Sequence, residues 1–204
     1  MAPAARNNDR GVIVKERGLL YTAGMSKRRE KNGGVEGLSS SREEFVREMK
    51  QNLSMLTRPI IESRTPKSSG KQFVTQYSQV VDTITGLLFQ RATHENSVTP
   101  ERADIAVIAM GGYGRSELAP YSDVDILVVC RKKTKLVDEV ASSFIRYMWD
   151  VGFELGSVVE SLVESESVLK RHMDTKTAVI ESRWVCGSKR VAKAIARPIS
   201  RIRR

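Results

Sequence analysis

The chain has 204 residues, of which 40% are hydrophobic and 28% charged, and carries a formal net charge of +10. That length suits one domain able to bury a core, and that composition excludes a fibrous or wholly disordered chain. Two cysteines, Cys130 and Cys186, exclude a disulfide framework and lack zinc spacing, while no apolar run approaches the ~20 residues of a membrane-spanning helix.

Residues 1–40 mix Gly, Ser, Asn, Arg and Lys without a helical or strand period and read as a flexible basic arm. The apolar run within it, Gly18-Leu19-Leu20-Tyr21, is too short for the ~7 to 15 residues of a signal-peptide core, which predicts a cytoplasmic protein. Order is expected from residue 41. Ser41-Arg42-Glu43-Glu44 has the pattern of a capping box, and the helix it opens should end near Pro59 or soon after. Pro66-Lys67-Ser68-Ser69-Gly70 breaks the chain, and Phe73, Tyr77, Val80, Val81, Ile84, Leu87 and Leu88 then recur as the core stripe of a second helix.

Two apolar runs, Ile105 to Met110 and Val124 to Cys130, predict buried strands, with a weaker one from Phe153 to Leu162. Between them, Val137, Val140, Ala141, Phe144, Ile145 and Met148 predict a helix from Leu136 to Val151 that stops at Gly152. Asp174-Thr175 can cap a last helix running to Cys186 and closed by Gly187, after which the basic stretch 188–204 loses its period and reads as a disordered tail. The basic ends read as solvated chain, so nucleic acid is an unlikely partner. The catalytic domain is accordingly expected over 41–187.

Two local patterns carry chemistry. Strand 105–110 runs into Gly111-Gly112-Tyr113-Gly114, and glycines at a strand end let the backbone turn sharply and present bare N–H groups to phosphate oxygens. No GKS or GKT follows, so this is not a P-loop. Ser122-Asp123-Val124-Asp125 then opens the next strand, and side chains at i and i+2 share a face. Two neighbouring carboxylates repel unless a cation lies between them, and Mg²⁺, which takes carboxylate and triphosphate oxygens, suits that place. Burying them unpaired at a strand mouth would cost several kcal/mol each.

The run from Gly111 to Asp125, with Arg115, Glu117 and Ser122 inside it, resembles the signature of the polymerase-β-like nucleotidyltransferases. Within that superfamily it is similar to the N-terminal domain of the bifunctional PII uridylyltransferase/uridylyl-removing enzymes. Met148 to Gly156 and Thr177 to Arg183 also resemble segments of those enzymes, so the likeness spans roughly residues 70–187. It implies an α/β (α+β) fold, a small mixed sheet flanked by helices with further helices at the N-terminus. It implies Mg²⁺-dependent transfer of UMP from UTP to the PII nitrogen-signalling protein.

By the match, Gly111, Gly112, Arg115 and Ser122 bind the nucleotide and Asp123 and Asp125 hold the metal. Glu117 fixes the turn by a hydrogen bond, and a surface ion pair is the competing reading of Arg115 and Glu117. Many members of the superfamily place a third carboxylate on a later strand. Glu154 and Glu160 are the candidates here, and Glu160 is preferred as the third catalytic acid. The run Ser157-Val158-Val159-Glu160 stands where a His-Ser-Val-Arg-like run is expected. With His94 and His172 as its only histidines, the chain lacks the cluster a phosphohydrolase site needs, so uridylyl-removing activity is not expected and the tail reads as a truncated or frame-altered end. Protein adenylyl transfer, and a catalytically inactive regulatory or antitoxin-like module of the same fold, are the alternatives.

Overall fold

The computed structural model describes residues 41–65, 69–161 and 181–194, with residues 157–161 as backbone only. The expected arm over 1–40 and the cap at Asp174-Thr175 lie outside these residues. The chain divides into two compact units, Met1–Phe45 and Val46–Arg204.

In the first unit the capping box forms as expected. Ser41 N–H donates to Glu44 Oε2 at 3.0 Å, and Glu44 N–H donates to Ser41 Oγ at 3.2 Å. They open helix α1 (Arg42–Glu62), which carries Pro59 in its last turn. Helix α2 (Gly70–Glu95) starts where Ser69 Oγ accepts from Gln72 N–H, and buries Val80, Val81, Ile84 and Leu88 from the anticipated stripe together with Phe89, which lies outside it. Helix α4 (Lys135–Val151) is capped by Thr134 and stopped by Gly152 at φ 105°. Its Phe144 meets Phe89 of α2 edge to face, ring centroids 5.5 Å apart.

The sheet comprises β1 (Ile105–Ala109), β2 (Val124–Cys130), β3 (Leu155–Ser161) and β4 (Arg183–Gly187), in the order β3-β2-β1-β4. β1 runs antiparallel to both β2 and β4, whereas β2 and β3 are parallel, joined over α4 as parallel strands require. A single helical turn, α3 (Gly111–Gly114), follows β1. The result is the expected small mixed sheet with flanking helices. No helix among the described residues is long and apolar enough to cross a membrane.

Two expectations near the C-terminus are corrected. Arg183–Gly187 is not the end of a helix but the strand β4, paired with β1 as Ala106↔Gly187 and Ala109↔Arg183. Trp184, Val185 and Cys186 are strand formers, and the free edge of β1 offers a ladder that a local helix does not. Gly187, read as a helix stop, has φ +82°, and a Cβ there would come closer to the Ile105 carbonyl oxygen than the 3.0 Å real Cβ atoms observe. Residues 189–194, placed in the disordered tail, are helical. Val191 and Ala192 are buried in one cluster with Ala106, Ile108, Leu127 and Val129, the alternate residues of β1 and β2. The folded domain therefore extends past 187.

Gly86, inside α2, has nothing within 4 Å of where a Cβ would stand. Gly86→Ala should raise the unfolding free energy by about 0.5–1 kcal/mol in urea titrations, because alanine loses less backbone entropy in a helix. A lower midpoint would mean that the position is not the open helix interior described here.

Candidate active site

The site forms where the β1–β2 ladder ends. Ala109 pairs with Ile126, and one residue on, Met110 N–H donates to the Asp125 carbonyl at 2.9 Å. That bond brings Gly111, at φ +53°, against the Asp125 side chain: a Cβ on Gly111 would lie 3.1 Å from Asp125 Oδ2. The α3 turn then closes on itself, with Gly114 N–H donating to Met110 O at 2.8 Å, Arg115 N–H to Gly111 O at 3.1 Å and Glu117 N–H to Gly112 O at 2.8 Å. The N–H groups of Gly111 and Gly112 take no acceptor among the described residues, as expected at the start of a helical turn.

Asp123 is exposed just before β2, and Asp125 is half-buried within it. Burial first, and the Asp123 charge second, lift the Asp125 carboxyl above its ordinary 3.8. No hydrogen bond or ion pair from a described residue reaches either carboxylate. Acids of the surrounding elements are neutralised: Asp82 by Arg183, and Glu117 and Glu181 by Arg115. Asp125 thus lies against a turn of open amides with the Asp123 charge near it, and the two carboxylates are hard oxygen donors. Among the described residues no group of three His, Cys, Asp or Glu could hold a metal ion.

The loop is held from beneath. Arg183 of β4 donates from both terminal nitrogens to Asp82 of α2, at 2.8 and 2.9 Å, and from one of them to the Tyr113 carbonyl at 3.2 Å. Its guanidinium lies 5.1 Å from the centre of the Tyr113 ring. Burial, then the Asp82 charge, push the Tyr113 phenol well above 10.0, so it stays neutral. Leu118 N–H donates to Ser78 Oγ at 3.0 Å, tying the far end of the loop to α2. Gly114 is needed for space, since a Cβ there would run into the Glu181 and Ala109 carbonyl oxygens.

The sequence-predicted residues do not all converge. Gly111, Gly112, Asp123 and Asp125 do. Arg115 is held by Glu117, at 2.8 Å, and by Glu181, which is the ion-pair reading of this residue. Ser122 is exposed beside Asp123, with its N–H on the Ala119 carbonyl at 3.3 Å. Glu160 pairs in register with Val129, whereas Gly156 pairs with Asp125. Four strand residues separate those rungs, about 13 Å at ~3.3 Å per residue, so the register does not bring Glu160 to the aspartates. Glu154 is exposed ahead of β3, its carbonyl accepting from Val124 N–H at 2.8 Å. Sequence reasoning missed Asp82, Arg183 and Gly156. The last two end the segments Thr177 to Arg183 and Met148 to Gly156, and that was their only signal.

Comparison with known proteins agrees with this picture. The sequence profile of the nucleotidyltransferase domain matches residues 94–195. Three similar proteins are bifunctional uridylyltransferase/uridylyl-removing enzymes. That of Novosphingobium aromaticivorans is 35% identical over 155 residues, 74% of this chain and 16% of its own. That of Hydrogenovibrio crunogenus is 38% identical over 88 residues, 43% of this chain and 10% of its own. That of Azotobacter vinelandii is 41% identical over 88 residues, again 43% and 10%. The chain thus spans only 10% to 16% of the length of these relatives. With half of its length matched by the profile, and with a four-stranded mixed sheet flanked by helices, the chain belongs to the nucleotidyltransferase domain family and has a polymerase-β-like fold.

Proposed function

We propose that this chain transfers UMP from UTP to a PII-type nitrogen-signalling protein, in a reaction that needs Mg²⁺. The observation that carries the proposal is the placement of Asp125, whose carboxylate faces the Gly111 bend beside Asp123 with no cation from the described residues to neutralise it. The donor set fits the ion: Mg²⁺ is commonly held by one or two carboxylates, with substrate phosphates and waters completing its six oxygens. Asp123 and Asp125 would hold it there. When bound, Mg²⁺ supplies a bridge to the triphosphate and offsets the charge that develops as diphosphate leaves.

The remaining roles fall to the chain itself. The open amides of Gly111 and Gly112 bind phosphate oxygens, and glycine lets the backbone approach them closely. Arg183, Asp82 and Ser78 keep that turn rigid, so the phosphates meet donors already in place and little reorganisation is needed during transfer. Ser122 lies next to Asp123 at the exposed rim, where it can contact the nucleotide. Arg115 acts by fixing Glu117 and Glu181 around the bend. The choice of UTP is supported by the names of the relatives, and that of a PII-type acceptor by the likeness of the Gly111–Asp125 run to the signature of the PII uridylyltransferases.

The lack of a third acid beside Asp123 and Asp125 among the described residues favours a second reading, a nucleotidyltransferase-like module that binds a partner without catalysis. Radiolabelled UTP and ATP, each with Mg²⁺ and a PII protein, separate the readings. Label should pass from UTP to the acceptor, and Asp123→Asn or Asp125→Asn should lower the rate by about 100-fold or more. Transfer that persists in the Asp123→Asn/Asp125→Asn double variant removes the carboxylates from the mechanism. Calorimetry showing no Mg²⁺-dependent nucleotide binding favours the inactive module.

A second expectation concerns pH. Because the folded carboxyl of Asp125 is raised above 3.8, its contribution to stability is present at low pH and is lost as pH rises through the raised value. In metal-free buffer Asp125→Asn should therefore melt higher than wild type at pH 7, and the gap should close as pH falls toward 3.8. Thermal melts across that range check it; a variant that melts lower at pH 7 would show that the charge is not a burden on the fold.

A further inference from the structure

We propose that Gly156 is a positioning residue, whose missing side chain is the slot that holds the Asp125 carboxylate against the glycine bend. The inference rests on the functional reading above for its consequence, though not for its geometry. The parallel register sets Gly156 of β3 directly beside Asp125 of β2. A Cβ at 156 would meet Asp125 Oδ1 well inside the 3.0 Å limit, with Cγ at 3.6 Å. On the other side Oδ2 stands 3.1 Å from the Cβ position of Gly111. One carboxylate is thus seated between two glycines, each oxygen occupying space that a side chain would fill.

Backbone conformation does not account for glycine at 156. The glycines at positive φ are 111, 152 and 187, so any residue could adopt the dihedrals of Gly156. A glycine inside a strand weakens it and commonly marks a close approach of other atoms. Here the approaching group is the carboxylate itself. An alanine would rotate Asp125 off its seat, away from the bend and out of step with Asp123, while leaving the β2–β3 ladder able to form. Gly156 would then set the spacing of the metal-holding acids without touching metal or nucleotide, as residues outside a coordination sphere commonly do.

The test uses the full chain and two readouts. Urea midpoints of Gly156→Ala are measured in the wild-type background and again with Asp125→Ala, where the carboxylate is gone. Mn²⁺ affinity in the presence of UTP is measured by electron paramagnetic resonance for wild type and Gly156→Ala, with Gly86→Ala as a control in open space. The expected result is a lowered midpoint in the wild-type background that largely recovers with Asp125→Ala, and Mn²⁺ binding weakened roughly 10- to 100-fold while Gly86→Ala is unaffected. Should Gly156→Ala fail to fold alone, refolding in the Asp125→Ala background is itself the expected coupling. Equal midpoint losses in both backgrounds, or unchanged Mn²⁺ affinity in Gly156→Ala, overturn the inference. Wild type that binds no Mn²⁺ with UTP would instead sink the functional reading, and the midpoint comparison would still decide whether Gly156 seats the carboxylate.

Discussion

One backbone hydrogen bond sets the geometry of the site. When Met110 N–H donates to the Asp125 carbonyl, it adds a rung beyond the last residue of β1. Without that rung the chain would leave the sheet before Gly111, and the glycine turn would have no fixed distance from the acids. A shift of register by one residue would turn Asp125 to the opposite face, toward the layer of Ile126 and Val128. The buried residues of β1 and β2, Asp125 aside, make such a slip expensive, so the hydrophobic core holds the spacing between the bend and the acids.

Electrostatics around the site are arranged by subtraction. Arg183 satisfies Asp82, and Arg115 satisfies Glu117 and Glu181, whereas Asp123 and Asp125 at the mouth of β2 take no cation from the described residues. Arg183 is partly sheltered and also holds the Tyr113 carbonyl, so it stabilises the turn as well as the charge. This arrangement lets the loop be both rigid and charged: the neighbouring arginines bind the scaffold and not Asp123 or Asp125. A fold optimised for stability alone would have neutralised Asp125 too.

Much of this was legible in the sequence. Helices α1, α2 and α4 and strands β1 and β2 announce themselves through period and caps, because each buries a continuous face and the caps are short-range. Gly111, Gly112, Asp123 and Asp125 were legible because turn geometry and charge repulsion act between near neighbours. What failed was long-range. The strand Arg183–Gly187 owes its conformation to an edge far away in the chain, and the burial of Val191 and Ala192 to a sheet face that local composition cannot reveal. Glu160 was preferred through the resemblance, which points to a later strand but not to a position along it, and the β2–β3 register pairs it with Val129, four residues from the Asp125–Gly156 rung. Gly156 was invisible for the same reason, since the atoms that need its empty space belong to another strand.

The packing of Val191 and Ala192 on Ala106, Ile108, Leu127 and Val129 bears on how the domain can be cut. A recombinant piece ended at Gly187 would keep every described strand and the whole glycine loop, yet would present four bare aliphatic side chains on one face of β1 and β2. Such a surface invites self-association. The working border of the fold is therefore drawn by solubility, some residues beyond the last one that chemistry requires.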